Sequence, residues 1–251
     1  MTAPSLTHWG RVRGAVVWQV LTEALAGLGG SVHVLDAGGG TGGLAVPLAL
    51  LGHRVTVVDP SPDSLAALER RAAEEAPGRA LELTAVQGDL DTLLDVVEPG
   101  SVDLVLCHSV LEVVEDPAAG LATVAAALRP GGLASVLVAN RSAAVLARAL
   151  SGHFAEAVTA MDDPDGRWGV ADAALRRFGR DELVGLVAAA GLAPVDVHGV
   201  RVFTDLVPGA LIDADAAAFE ALVTLELAAS RRSPYAELAT QLHVLAQRAT
   251  R

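Results

Sequence analysis

Three carboxylates stand where apolar runs end, and the first opens a turn that few side chains could make. In Val34-Leu35-Asp36-Ala37-Gly38-Gly39-Gly40-Thr41-Gly42-Gly43 the apolar run from Val32 to Leu35 meets glycines that permit positive φ and let a ligand approach backbone. Asp59 closes a second run, Val55-Thr56-Val57-Val58, where a carboxylate can accept from the hydroxyls of a ribose. Asp89 closes Gln87-Gly88-Asp89 after a third run, Leu81 to Val86. Gly38, Gly40 and Gly43 also satisfy a G-x-G-x-x-G spacing, so these residues by themselves leave two nucleotide cofactors open, NAD and S-adenosylmethionine.

Helical and strand periods alternate around these acids, as expected of a parallel sheet covered on both faces. Trp18, Leu21, Leu25 and Leu28 mark an N-terminal helix, and another starts along Leu44 to Leu51. Ser61 can cap a helix that Pro62 opens and that carries Leu65 and Leu68 inward. Val102 to Cys107 reads as a buried strand followed by His108 and Ser109. Asp116-Pro117 starts a helix with Leu121, Val124, Ala125 and Leu128 on one face, and Arg129-Pro130-Gly131-Gly132 stops it. Leu133 to Ala139 is the fifth strand; a helix from Asp181 to Gly191, a strand from Val195 to Phe203, a helix from about Asp213 to Ala229 and a strand from Leu242 to Ala246 complete the pattern. The expected class is α/β: a doubly wound, mostly parallel, seven-stranded sheet in a single domain over 1–251, with a helical segment over 1–30. From Asn140 to Arg180 the rhythm weakens around Asp162-Asp163-Pro164-Asp165-Gly166, so about 140–180 is expected to form a cap or insertion after strand five.

Composition excludes several classes. The apolar stretches fall short of the roughly 20 residues of a membrane span. No charged-then-apolar signal opens the chain, and the single cysteine, Cys107, excludes an internal disulfide, so a cytoplasmic location and no membrane partner are expected. The seven histidines are scattered and none pairs with another at ligand spacing, so no metal site is expected. A net charge of −12 argues against generic nucleic-acid binding, yet it is uneven: residues 1–128 hold 6 arginines against 16 acids, residues 129–251 hold 12 against 14. Lysine is missing altogether, and Asn140 and Tyr235 are the only residues of their types, which marks both as candidates.

The turn Asp36 to Gly42, the acids Asp59 and Asp89, and Leu128-Arg129-Pro130-Gly131-Gly132 before strand five together resemble the class I S-adenosylmethionine-dependent methyltransferases, with their Rossmann-like methyltransferase fold. A narrower resemblance runs nearly end to end. Arg13 five residues before Trp18, Val34 to Gly40, His108-Ser109-Val110-Leu111-Glu112, Gly199-Val200-Arg201-Val202-Phe203, and Ser233-Pro234-Tyr235 with His243-Val244 are similar to the bacterial tRNA 5-carboxymethoxyuridine methyltransferase family.

That resemblance implies S-adenosyl-L-methionine as cofactor. It implies Arg13 at the methionyl carboxylate, Asp36, Gly38, Gly39 and Gly40 as backbone beside the cofactor, and Asp59 at the ribose. Gln87, Gly88 and Asp89 would surround the adenine, with His108 nearby. The implied reaction esterifies a carboxylate on a modified wobble uridine in tRNA. Such an acceptor is already ionised near neutral pH and needs no general base, so catalysis would be positioning. Arg201, ranked first for its charge, Asn140 and Tyr235 are the candidates for orienting the acceptor. This chain departs from the family at Asp162, Asp163 and Asp165 and at Thr204-Asp205-Leu206, which keeps a small-molecule acid or metabolite open as the acceptor. A cofactor-binding protein without catalysis is the third reading.

Overall fold

The structure is a computed structural model that describes residues 8–213 and 215–250. In chain order its elements are α1 (His8–Leu28), β1 (His33–Ala37), α2 (Ala45–Leu50), β2 (Arg54–Asp59), α3 (Pro62–Glu75), β3 (Leu83–Gln87), α4 (Leu93–Val96), β4 (Val102–His108), α5 (Pro117–Ala127), β5 (Leu128–Ala139), α6 (Arg141–Leu150), α7 (Phe154–Asp162), α8 (Arg180–Ala189), β6 (Leu192–Val200), α9 (Gly209–Asp213), α10 (Ala216–Ala229), α11 (Tyr235–Leu238) and β7 (Gln241–Arg248). The seven strands lie in the order β3-β2-β1-β4-β5-β7-β6, mostly parallel with one antiparallel hairpin at the end. The expected α/β, doubly wound, seven-stranded sheet is therefore the observed one.

Contacts divide the chain into two compact units. One comprises Ala24–Val136, Val184–Val195 and Leu245–Arg251. Here β1 pairs in parallel with β2 on one side and β4 on the other, Leu35 lying level with Thr56 and with Val105. The strand order reverses at β1, and a crevice at such a reversal, outside the carboxyl ends of the strands, is where open α/β sheets hold ligands. Val34, Leu35, Val55, Val57, Leu104 and Leu106 are completely buried, which is why these runs show no polar alternation. Ser61 accepts from the Ser64 N–H (3.2 Å) with Pro62 at the first turn of α3, and Asp116 accepts from the Ala118 and Ala119 N–H groups (2.9 and 3.2 Å) to start α5. Each cap is worth about 1 kcal/mol.

The other unit comprises the described parts of Met1–Glu23, Leu137–Leu183 and Asp196–Val244. Phe178 is fully buried in it, and its backbone N–H donates to the Ala139 carbonyl (2.9 Å). A small apolar cluster joins Phe219 and Leu222 with Phe203, Val207 and Val223.

Three differences from the sequence expectation bear on the site. Leu128 belongs to β5 rather than to the preceding helix, and Arg129-Pro130-Gly131-Gly132 runs inside that strand. The strand read to Phe203 ends at Val200, because Arg201 turns the chain with a φ of 63°. The segment after Asn140 carries two helices, α6 and α7, before its irregular stretch. Among the described residues no helix is long and apolar enough to cross a membrane, and no group of three metal-ligating side chains occurs.

Candidate functional site

The glycine turn after β1 is shaped by what packs behind it. Gly38, Gly40 and Gly42 have φ of 73°, 54° and 75°, values that L side chains rarely adopt. A Cβ on Gly38 would stand 2.4 Å from Val110 Cγ2, and one on Gly39 would stand 2.6 Å from the Asp36 carboxylate. At Gly40 the space is open, with nothing nearer than Asp59 Oδ2 at 3.9 Å. The turn is thus closed toward the protein and leaves bare backbone on its free side.

Asp59 ties that turn to the end of β2. Its Oδ2 accepts from the Gly40 N–H (2.8 Å) and its Oδ1 from the Ser61 N–H (2.9 Å). A carboxylate oxygen has two lone pairs, so each retains one for a hydroxyl. The third acid is held in the same manner: Asp89 Oδ1 accepts from the Asp91 and Thr92 N–H groups and from Thr92 Oγ1 (3.0 to 3.1 Å), while no hydrogen bond falls on Oδ2 among the described residues. Gln87, exposed, donates through Nε2 to the Pro60 carbonyl (3.3 Å), and a Cβ on Gly88 would meet Thr92 Oγ1 at 2.8 Å.

Burial sets the protonation of the side chains behind these loops. Desolvation, then the charge of Asp59, pushes the Asp36 carboxyl up to about 7. Desolvation lowers His108 to about 4, so it is neutral at physiological pH, with Nε2 2.8 Å from Ser135 Oγ. The Cys107 thiol is pushed up to about 12 by burial and two nearby acids, which removes it as a nucleophile. The bare glycine backbone and the free acceptor positions of Asp59 and Asp89 fit a nucleoside-bearing cofactor.

In the other unit Asp205 collects two of the arginines singled out by sequence. Its Oδ1 lies 3.3 Å from Arg13 Nη2, its Oδ2 ion-pairs with Arg201, and Thr240 Oγ1 donates to Oδ2 (2.9 Å). Arg201 Nε is buried and has no hydrogen-bond partner among the described residues. Asn140 is buried and fully engaged: Nδ2 donates to the Glu237 and Ala239 carbonyls (2.9 and 2.7 Å), and Oδ1 caps α6 at the Ser142 N–H (3.0 Å). Tyr235 is half exposed, its ring 6.0 Å from that of Phe203.

Sequence reading missed Glu226, which is completely buried. Its Oε1 accepts from the Phe203 and Thr204 N–H groups and from Thr204 Oγ1 (2.8, 2.6 and 2.6 Å), and its Oε2 from the Val202 N–H (2.8 Å). One carboxylate thus fixes three consecutive residues after Arg201. Only its place amid the apolar run Leu222 to Leu227 could have flagged it. The buried Arg177–Asp172 pair (2.7 and 3.0 Å) was also missed, as was Trp168, whose ring has Arg148 Cζ at 3.8 Å and Arg177 Cζ at 4.1 Å from its centroid.

Residues 35–134 match the family model described as a methyltransferase domain. The chain is 32% identical to the tRNA 5-carboxymethoxyuridine methyltransferase of Escherichia coli (strain K12) over 245 residues, which cover 96% of this chain and 90% of that one. It is 36% identical to the ubiquinone biosynthesis O-methyltransferase of Methylocella silvestris, but over 121 residues, 48% of this chain and 45% of that one. Among solved structures, an S-adenosylmethionine-dependent methyltransferase from Mesorhizobium loti superposes with a TM-score of 0.62 at 20% identity, covering 94% of this chain and all of that one, and so shares the fold. With the glycine turn and its acids in place, the chain is an S-adenosylmethionine-dependent methyltransferase and belongs to the family of the tRNA 5-carboxymethoxyuridine methyltransferases.

Proposed function

We propose that this methyltransferase esterifies the carboxylate of a 5-carboxymethoxyuridine-type wobble base in tRNA. The supporting observation is the reach of the similarity. The match to the Escherichia coli enzyme covers 96% of the chain, including the Arg13, Arg201 and Tyr235 regions, whereas the match to the Methylocella silvestris enzyme covers 48%. Two of the three acids that set this chain apart in the 140–180 segment are tied into local structure, and one of them carries a paired charge. Asp163 Oδ1 accepts from the Asp165 and Arg167 N–H groups (2.9 and 3.1 Å), and Asp165 pairs with Arg176 (3.0 Å). The Arg176 pair offsets the charge of Asp165 toward RNA.

In this reading Arg13 meets the methionyl carboxylate, the Gly38–Gly40 backbone with Asp36 behind it flanks the cofactor, and Asp59 accepts from the ribose hydroxyls. Gln87, Gly88 and Asp89 hold the adenine, with His108 as a neutral neighbour, and residues 140–180 act as the cap of one catalytic domain. When bound, the cofactor would supply an electrophilic methyl group on a sulfonium, and the acceptor carboxylate would be the nucleophile. The acceptor is ionised near neutral pH, so no side chain needs to remove a proton. Arg201 is the favoured orienting group, because Asp205 fixes its guanidinium while about a quarter of the side chain, 24%, stays exposed. Asn140, whose side chain is committed to backbone, supports that region from behind, and Tyr235 offers its hydroxyl at the rim. The enzyme would work on the cytoplasmic tRNA pool.

Incubation with labelled S-adenosylmethionine and bulk tRNA should place label in an alkali-labile ester. Failure to label tRNA from cells that carry the carboxylated uridine, together with labelling of an acid in a metabolite extract, would replace the tRNA reading with a small-molecule one.

A further inference from the structure

One cavity brings Asn140 and Asp205 together with Trp168, Arg148 and Arg177, three residues that the assignments above leave without a role. It measures about 430 Å³ and lies within a single unit. Its floor holds Asn140, Arg177 and Val202, all buried, and exposed Ser151 and His153 stand at its mouth. One wall is α6, which turns Ala143, Ala144 and Ala147 toward it and so keeps the space empty of side chain. The opposite chemistry is cationic and aromatic: Trp168 lines the cavity with the guanidinium groups of Arg148 and Arg177 over its ring at 3.8 and 4.1 Å. Both cations are fixed by acids, Arg148 by Glu156 (3.1 Å) and Arg177 by the buried Asp172 (2.7 Å). Asp205 and Thr240 also line it and bring hydrogen-bonding groups.

We propose that this cavity binds one unstacked nucleobase of an RNA loop. Its volume lies within the roughly 300–1,000 Å³ of small-ligand sites. An aliphatic ligand would strip water from two arginines and an aspartate without replacing it. A small anion would meet cations already neutralised by Glu156 and Asp172. A base has apolar faces and polar edges. Its faces match the alanine wall and the guanidinium of Arg148, which the Trp168 ring and Glu156 hold in place, and its edge N–H groups match Asp205 and Thr240. Arginine planes and aromatic rings are the usual platforms for splayed bases, whereas phosphates are taken by unpaired cations. The inference rests on the tRNA reading for the source of the base and adds where a loop nucleotide lodges.

The test uses the full chain, an anticodon stem-loop RNA with 4-thiouridine in its loop, near-ultraviolet irradiation and peptide mapping. Cross-links are expected in α6 or around Trp168, and they should persist under saturating S-adenosylhomocysteine. Ala143→Leu fills the cavity, so it should abolish those cross-links and raise KM for RNA by about tenfold while cofactor affinity stays unchanged. Arg148→Gln, which removes the cation without adding volume, should act in the same direction. Cross-links confined to other segments, cross-links abolished by S-adenosylhomocysteine, or a fully cofactor-binding Ala143→Leu protein that still cross-links at the cavity would each overturn the proposal. Methyl transfer to bulk tRNA, read on the same preparation, separates the two claims. Transfer without a cavity cross-link sinks the base site alone, and a cavity cross-link without transfer supports the base site and sinks the esterification.

Discussion

Asp205 forms an ion pair with Arg201 across a turn that Arg201 enters at a φ of 63°. A left-handed backbone at a non-glycine residue costs about 1 kcal/mol, and here the Glu226 carboxylate, holding the next three N–H groups, sustains it. The side chain and the backbone of Arg201 are thus separable by substitution.

Arg201→Gly should keep the turn, since glycine adopts that φ without strain, and should leave the melting temperature within a few degrees of the parent. Methyl transfer should fall by ~100-fold, the usual scale for losing one oriented donor, with cofactor Kd changed less than about twofold. Calorimetry with S-adenosylhomocysteine alongside a transfer assay reads both. A collapse of cofactor binding would move Arg201 to the cofactor site.

Glu226→Gln replaces a buried acceptor of four hydrogen bonds by an amide that must point one N–H₂ at other donors. The expected cost is about 3 kcal/mol, or roughly 10 °C in Tm for a chain of this size. KM for the acceptor should also rise, because the loop carrying Arg201 and Asp205 loses its anchor. A melting curve superimposable on that of the parent would show the carboxylate to be dispensable.

The cofactor half was legible because its chemistry is local. An apolar run, a glycine turn and an acid at a strand end are each read within ten residues, and Gly38–Gly40 and Asp59 sit where that pattern puts them. The boundary at Leu128 was not legible, since Arg-Pro-Gly-Gly stops a helix by every short-range rule, yet here it is carried inside a strand. Arg201 shows the same limit from the other side: its turn depends on Glu226, 25 positions along the chain, and no short-range pattern encodes that bond. Trp168, Arg148 and Arg177 likewise meet only after α6, α7 and the following loop have folded together.

Asp59 joins the glycine turn to the end of β2 through Gly40 and Ser61, so its replacement removes a strut as well as the proposed ribose acceptor. Asp59→Ala should weaken cofactor binding by tenfold or more, on the order of 1.5 kcal/mol for a hydrogen bond to a charged group. Asp59→Asn keeps an acceptor at one position and should fall between. Unchanged affinity of the alanine variant by calorimetry would refute the ribose role.

Asp36 gives the fold a pH dependence of unusual sign. Its carboxyl titrates near 7 in the folded protein against 3.8 as its ordinary value, so the folded form holds a proton that the unfolded chain releases between those limits. The stability this provides is complete below about 3.8, declines as pH rises through the window and is gone above about 7. His108, lowered from 6.5 to about 4, has the opposite slope, its share being lost as pH falls between those values, so the two partly cancel in the parent. Asp36→Asn removes only the first. The stability difference between variant and parent, taken from urea unfolding at pH 5, 6, 7 and 8, should shift in favour of the variant by about 1 kcal/mol per unit up to pH 7 and then level off. A difference independent of pH would mean that Asp36 is ionised throughout, and that burial behind the glycine turn does not hold its proton.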